Sequence, residues 1–165
     1  MSNLITVGIS DMKVATKPDR LITYALGSCV GICLYDTQTC VSGMAHIMLP
    51  SSEQCIQNDN KMKFADTAII MLINKMEQIG ASKSRMVAKI AGGAQMFKVD
   101  TTYGAGENIM NIGQRNVTAV KKKLAEVNIK IVAEDTGKNY GRTVEFLSET
   151  GIMMVRSIGR ASLEL

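Results

Sequence analysis

The stretch LITYALGSCVGICLYD, residues 21–36, decides how this chain can fold. It is rich in β-branched and aromatic residues, which favour strands. Gly27 and Gly31 interrupt the pattern, and such glycines indicate a bulge, a kink or the close approach of another backbone. A polar turn follows at residues 36–39, and residues 41–49 again favour a strand. We therefore predict a β-hairpin whose arms are residues 22–35 and 41–49.

This hairpin carries two reactive side chains, one on each arm. Cys29 directly follows Gly27 and Ser28, and His46, the only histidine of the chain, comes seventeen residues later. A thiol with an ordinary pKa of about 8.5 is mostly protonated at neutral pH. An adjacent imidazole can take that proton, and the thiolate can then attack a carbonyl carbon. The pair therefore predicts thiol-based acyl transfer.

Two further features of the same arm fit this chemistry. Thr23 precedes Cys29 by six residues, and on one regular strand an even offset places both side chains on the same face. The Thr23 hydroxyl or carbonyl could accept the second ring N–H of the imidazole. Gly27 and Ser28 allow a tight backbone path that could aim a backbone amide at a developing oxyanion.

Other interpretations of these residues remain open. A cysteine within a strand is often a buried core residue. Cys29, Cys33, Cys40 and His46 could also form a zinc site, but their spacing lacks the paired Cys-x2-Cys pattern of most structural zinc sites. We therefore expect neither a metal nor another cofactor.

The rest of the chain predicts an α+β domain with a mixed or antiparallel sheet. Apolar residues recur at spacings of three and four in two amphipathic helices, residues 65–79, closed by Gly80, and 113–126. The remaining strand candidates are residues 5–14, 86–91, 130–134, 143–148 and 152–158. Without an internal repeat or a linker, residues 1–165 are interpreted as a single domain.

Composition narrows the class of protein. Apolar residues make up 46% of the chain, charged residues 21%, and the formal net charge is +4. The sequence lacks an apolar run of eighteen residues and a secretory signal, so we expect a cytoplasmic protein without direct membrane insertion. Tryptophan is absent and aromatic residues are only 4%, which argues against nucleic acid as a partner.

Several blocks in the same order resemble the chemoreceptor glutamine deamidase (CheD) family. The resemblance covers nearly the whole chain, with Lys138 as a departure where many relatives carry a second glycine. The matching blocks are residues 27–29 (GSC), 44–50 (MAHIMLP), 65–68 (ADTA), 89–97 (KIAGGAQMF), 111–116 (NIGQRN), 133–137 (AEDTG) and 141–146 (GRTVEF).

The resemblance implies hydrolysis of the side-chain amides of specific glutamines on chemotaxis receptors, giving glutamate and ammonia. Glutamyl methyl esters are possible further substrates. It implies a Cys-His-Thr triad at Cys29, His46 and Thr23. It also implies a layered, sandwich-like mixed β-sheet flanked by two long helices, similar to bacterial toxin deamidases.

The implied partners are the helices of chemoreceptors and a CheC-type phosphatase, which dephosphorylates the response regulator of chemotaxis and competes for the same cleft. Gly92, Gly93, Met96 and Phe97 could form one rim of this cleft, because an exposed apolar pair after a glycine turn can adapt to a helix. Alternatively, Met96 and Phe97 cap the core. The alternative function is a non-catalytic binding module that regulates the phosphatase and receptors.

Overall fold

The computed structural model describes residues 1–56, 59–96 and 111–165. Within this part of the chain, the fold is α+β, with two five-stranded mixed sheets and two α-helices. The strands are β1 (Leu4–Thr6), β2 (Met12–Ala15), β3 (Arg20–Leu26), β4 (Val30–Asp36), β5 (Ser42–Ile47), β6 (Met86–Gly92), β7 (Lys130–Thr136), β8 (Arg142–Leu147), β9 (Ile152–Arg156) and β10 (Leu163–Glu164), and the helices are α1 (Ala65–Glu77) and α2 (Ile112–Glu126).

The two sheets and the helices form three layers. The first sheet has the strand order β1-β3-β8-β9-β10, and the second has the order β2-β5-β4-β6-β7. Because side chains alternate along a strand, β4 serves two cores. Ile32 packs with Leu72 and Val120 of the helices, whereas Cys33 packs with Phe146 of the first sheet. The second sheet is therefore the middle layer.

The hairpin predicted around His46 is confirmed. Strands β4 and β5 pair antiparallel, with Gly31 opposite His46 and Val30 opposite Ile47. Their connecting turn is held by Asp36, whose carboxylate accepts hydrogen bonds from the backbone N–H groups of Gln38 and Thr39. These local bonds explain why the turn could be identified from its polar residues alone.

The prediction of one continuous strand over residues 22–35 is wrong. Strand β3 ends at Leu26, β4 begins at Val30, and the two strands lie in different sheets. Residues 27–29 carry the chain from one sheet to the other. The predicted strand at residues 5–14 is likewise divided, because β1 belongs to the first sheet and β2 to the second. A turn at Ile9 and Ser10 lies between them.

Both predicted helices are confirmed, with differences in detail. After α1, Gly80 adopts a φ of +105°, and the Ala81 N–H bonds to the Met76 carbonyl at 3.2 Å, a glycine C-cap. Ile79 lies beyond the helix and is exposed. The buried face of α2 contains a polar residue, Asn116, which was not part of the predicted apolar stripe.

No helix in the described ranges combines the length and hydropathy needed to cross a membrane.

Candidate active site

Thr23 and His46 are in contact between the two sheets, and Cys29 lies in the bend just before β4, the strand that pairs with β5. His46 lies on β5 of the middle sheet, and Thr23 lies on β3 of the outer sheet; both side chains are fully buried. Cys29 is half-buried and lies two residues before Gly31, the cross-strand partner of His46. The Cys29 side chain packs against the core between the sheets, which also contains Cys33 and Met44.

A chain of hydrogen bonds orients the imidazole. The Thr23 hydroxyl lies 2.7 Å from the Val7 carbonyl oxygen and 2.7 Å from His46 Nδ1. Since a carbonyl can only accept, the hydroxyl donates its proton to Val7 and accepts the N–H of Nδ1. His46 is thereby held in the Nδ1–H tautomer, which leaves a lone pair on Nε2. This buried Nε2 has no hydrogen-bond partner among the residues that the structure describes.

Burial keeps both reactive groups uncharged at rest. Desolvation lowers the pKa of His46 from 6.5 to about 4, because the imidazolium is disfavoured in a buried site. Desolvation also raises the pKa of the Cys29 thiol, partly offset by the backbone N–H of Cys29 itself, which stabilises the thiolate. At neutral pH, therefore, the Cys29 thiol and the His46 imidazole are both uncharged.

The backbone of the Cys29 turn, residues 27–29, is held by hydrogen bonds from the two residues that follow β6. The Gly93 N–H donates to the Cys29 carbonyl at 2.8 Å, and the Ala94 N–H donates to the Gly27 carbonyl at 2.8 Å. Gly92 has a φ of +110°, and a Cβ at this position would lie 2.3 Å from the Cys29 carbonyl oxygen. Only glycine therefore permits this contact without displacing the turn.

The predicted rim residues have different surroundings. Gly92 and Gly93 are buried against the backbone of the Cys29 turn. Met96 is 46% exposed, approaches Gly27, and lines a cavity of about 390 Å³ together with Tyr140 and other residues. Phe97 lies outside the described residues.

Two supporting residues were missed by sequence reasoning. Asn116 of α2 donates through Nδ2 to the Ser28 carbonyl, at 2.9 Å. Arg142 of β8 is buried; it pairs with Asp135 at 2.9 Å and donates to the carbonyl of Gly137 at 2.9 Å. Asn116 could have been identified from the sequence, because it is a polar residue on the apolar stripe of α2, four residues before Val120.

The alternative of a zinc site is not supported by these surroundings. Cys33 is fully buried in the core between the sheets, where desolvation raises its pKa to about 12. In the described part of the chain, no three side chains of the metal-binding types His, Cys, Asp and Glu are grouped so that they could hold a metal ion.

Comparisons with known proteins agree with the resemblance found in the sequence. The family model described as CheD chemotactic sensory transduction matches residues 48–157. A Syntrophomonas wolfei protein named probable chemoreceptor glutamine deamidase CheD is 52% identical over 159 residues, which cover 96% of both chains. A protein of the same name from Caldanaerobacter subterraneus is 52% identical over 158 residues, which cover 96% of this chain and 95% of that protein.

The fold also has a distant structural counterpart. The crystal structure of Neisseria meningitidis protein NMB0706, of the DUF152 family, superimposes with a TM-score of 0.53 at 9% identity, covering 88% of this chain and 75% of that one. At this identity the similarity concerns the fold alone. The family model and the full-length relatives together show that this chain belongs to the CheD family.

Proposed function

We propose that this protein hydrolyses the side-chain amides of specific glutamines on chemotaxis receptors, releasing ammonia and leaving glutamate. The names of the full-length relatives support this substrate and reaction. The observation that carries the mechanism is the 2.7 Å contact between Thr23 Oγ1 and His46 Nδ1, which leaves the Nε2 lone pair free to accept a proton. Cys29 is the nucleophile, His46 the general base and Thr23 the orienting residue.

The first half of the reaction forms a thioester. His46 Nε2 takes the Cys29 proton as the sulfur attacks the amide carbon, and the carbonyl oxygen becomes an oxyanion. When this intermediate collapses, the C–N bond breaks and the imidazolium returns the proton to the leaving nitrogen, which departs as ammonia. A water molecule, deprotonated by the same Nε2, then cleaves the thioester to glutamate and restores the thiol. A glutamyl methyl ester would follow the same course with methanol as the leaving group.

The neutral resting pair suits this mechanism. A base whose pKa is about 4 is unprotonated at neutral pH and available at every turnover. Its hydrogen bond to Thr23 strengthens once the ring becomes cationic, so the transition state gains more from this contact than the resting state does.

The surroundings of the site favour a protein substrate over a small molecule. Met96, Tyr140 and the fully exposed Ile158 line the open cavity beside Gly27, and Arg156 borders it. Such a surface can receive a receptor helix with apolar and acidic side chains. We further propose that the protein is cytoplasmic. We also propose that a CheC-type phosphatase binds at this surface, in competition with the receptor.

The test is incubation of the protein with a purified cytoplasmic receptor fragment, followed by mass spectrometry and an ammonia assay. Each modified glutamine should gain about one mass unit, with one ammonia released, as amide-to-acid hydrolysis requires. Cys29→Ala and His46→Ala should each abolish the reaction, falling about 10⁴-fold or more. Cys33→Ala is the matched control, because it removes a thiol from the core and should keep the activity. Undiminished ammonia release by Cys29→Ala would contradict the mechanism.

A further inference from the structure

Asn116 links the helix layer to both arms of the active-site hairpin. Its side chain is fully buried, and Nδ2 donates to the Ser28 carbonyl and to the Met48 carbonyl, each at 2.9 Å. Ser28 directly precedes the nucleophile, and Met48 lies two residues beyond the base. One amide group therefore contacts the chain on both sides of the reaction centre.

The side-chain amide of Asn116 lies at the end of the hydrogen-bonded pairing between β4 and β5. The last paired residues of the hairpin are Val30 and Ile47, so the carbonyls of Ser28 and Met48 lie just outside the regular pairing. Both protons of Asn116 Nδ2 are used on these two carbonyls. The opposite orientation of the amide would set Oδ1 against two carbonyl oxygens, so the hydrogen-bond network defines which end faces the hairpin.

The contact with Asn116 determines the orientation of the Ser28–Cys29 peptide group. Its bond is trans, and the C=O and N–H of a trans peptide point in opposite directions. Since Asn116 holds the Ser28 carbonyl, the Cys29 N–H points away from the helix and lies beside the sulfur of its own side chain, where it lowers the thiol pKa. A backbone N–H beside the nucleophile is the usual donor to the oxyanion of acyl transfer.

We propose that Asn116 is a positioning residue for the oxyanion hole: it fixes the Ser28–Cys29 peptide so that the Cys29 N–H meets the developing oxyanion. This inference rests on the proposed amidohydrolase function. A second observation supports it, because Asn116 Oδ1 is buried and has no hydrogen-bond partner among the described residues. Among the described residues, therefore, Asn116 makes its side-chain contacts through its donor end, on the two carbonyls of the hairpin.

The test compares two reactions of the same cysteine. Amide hydrolysis passes through an oxyanion, whereas alkylation by iodoacetamide, a displacement at a saturated carbon, does not. In Asn116→Ala, kcat for the receptor fragment should fall about 10- to 100-fold, with KM changed less than about twofold. Removal of one oxyanion donor lowers kcat about 10²- to 10³-fold, and a donor that is only misaligned should lower kcat less. The alkylation rate of Cys29 should stay within about twofold of the wild-type rate.

Controls separate this role from packing and from failure of the proposed function. Val120→Ala removes a buried side chain one turn along the same face of α2 and should keep kcat at a temperature where it is folded. Asn116→Ser, which retains one short donor, should recover part of the activity and is the second variant if Asn116→Ala does not fold. Equal kcat in wild type and both Asn116 variants, or a parallel loss of alkylation and hydrolysis, would overturn the inference. Absence of ammonia release by the wild-type protein would instead refute the proposed function.

Discussion

Replacing Thr23 by valine tests most directly the proposal that Thr23 orients His46 as the catalytic base. Valine has nearly the shape of threonine but lacks the hydroxyl that joins His46 Nδ1 to the Val7 carbonyl at 2.7 Å on each side. The variant therefore leaves the thiol and the imidazole in place and removes only the group that fixes the ring. Both tautomers of His46 become accessible, and only one of them presents a lone pair at Nε2.

The size of the effect follows from the two hydrogen bonds. The bond from Nδ1–H to Thr23 is made to a ring that becomes cationic during attack, and bonds to charged groups contribute about 1.5–3 kcal/mol. Loss of that energy from the transition state alone predicts a fall in kcat of about 10- to 150-fold. The variant also buries an unpaired carbonyl and an unpaired N–H, each at about 1–3 kcal/mol, so the free energy of unfolding should fall as well.

The assay is ammonia release from a receptor fragment at a temperature where thermal melting shows the variant to be folded. Thr23→Ser is the matched control, because it keeps the hydroxyl and loses one methyl group, a change of about 1 kcal/mol in stability. We expect the serine variant to retain most of its kcat. Thr23→Val activity within twofold of the wild type would refute the orienting role, and equal losses in both variants would assign the effect to packing.

The remaining predictions concern protonation and the glycine turn. The proposed mechanism requires neutral His46, so kcat/KM should stay high below pH 6 and decline only as the pH approaches about 4. A decline centred near pH 6.5 in the pH–rate profile would contradict a buried base. Because burial holds the folded pKa of His46 below its unfolded value of 6.5, the free energy of unfolding should also fall as the pH drops from 6.5 toward 4, measured by denaturant titration. Gly92→Ala should lower both stability and turnover, because its Cβ would displace the Cys29 carbonyl. Gly137→Ala is the matched control, because Gly137 has a φ of +78° and its Cβ would point into open space. This variant should lose only about 1–2 kcal/mol of unfolding free energy through backbone strain and keep its kcat. Equal effects in the two variants would contradict a steric role for Gly92.

The location of the site explains its protonation state. Thr23 and His46 come from different sheets, and their contact lies in the layer where both sheets bury apolar side chains such as Phe146 and Met44. Such surroundings disfavour an isolated imidazolium, which is why the pKa of His46 is depressed. The Thr23 hydroxyl offsets part of this cost when the ring gains a proton, so a neutral residue is sufficient to orient the base.

The core of the fold was predictable where its pattern is local. The hairpin of β4 and β5 joins neighbouring strands across a short turn held by Asp36, and both amphipathic helices show their periodicity within one segment. The single strand predicted over residues 22–35 was wrong because β-forming residues on both sides of Gly27 favour extended backbone without indicating which sheet each strand joins. The Thr23–His46 contact exists, but the alternation of side chains between Thr23 and Cys29 does not explain it. That alternation applies within one strand only, and β3 ends at Leu26, before Cys29.

The order of residues along the chain was enough to predict a hairpin with the imidazole on one arm and the thiol close to the other arm, because a hairpin pairs its two arms by local geometry. Only the tertiary structure showed how Thr23 reaches the imidazole and that Asn116 contacts the turn before the thiol. The Thr23 hydroxyl reaches His46 across 23 residues and from another sheet, and the Asn116 amide reaches Ser28 across 88 residues and from a helix. These contacts depend on how three layers pack on one another, and that packing is a property of the whole buried interior that no local pattern encodes.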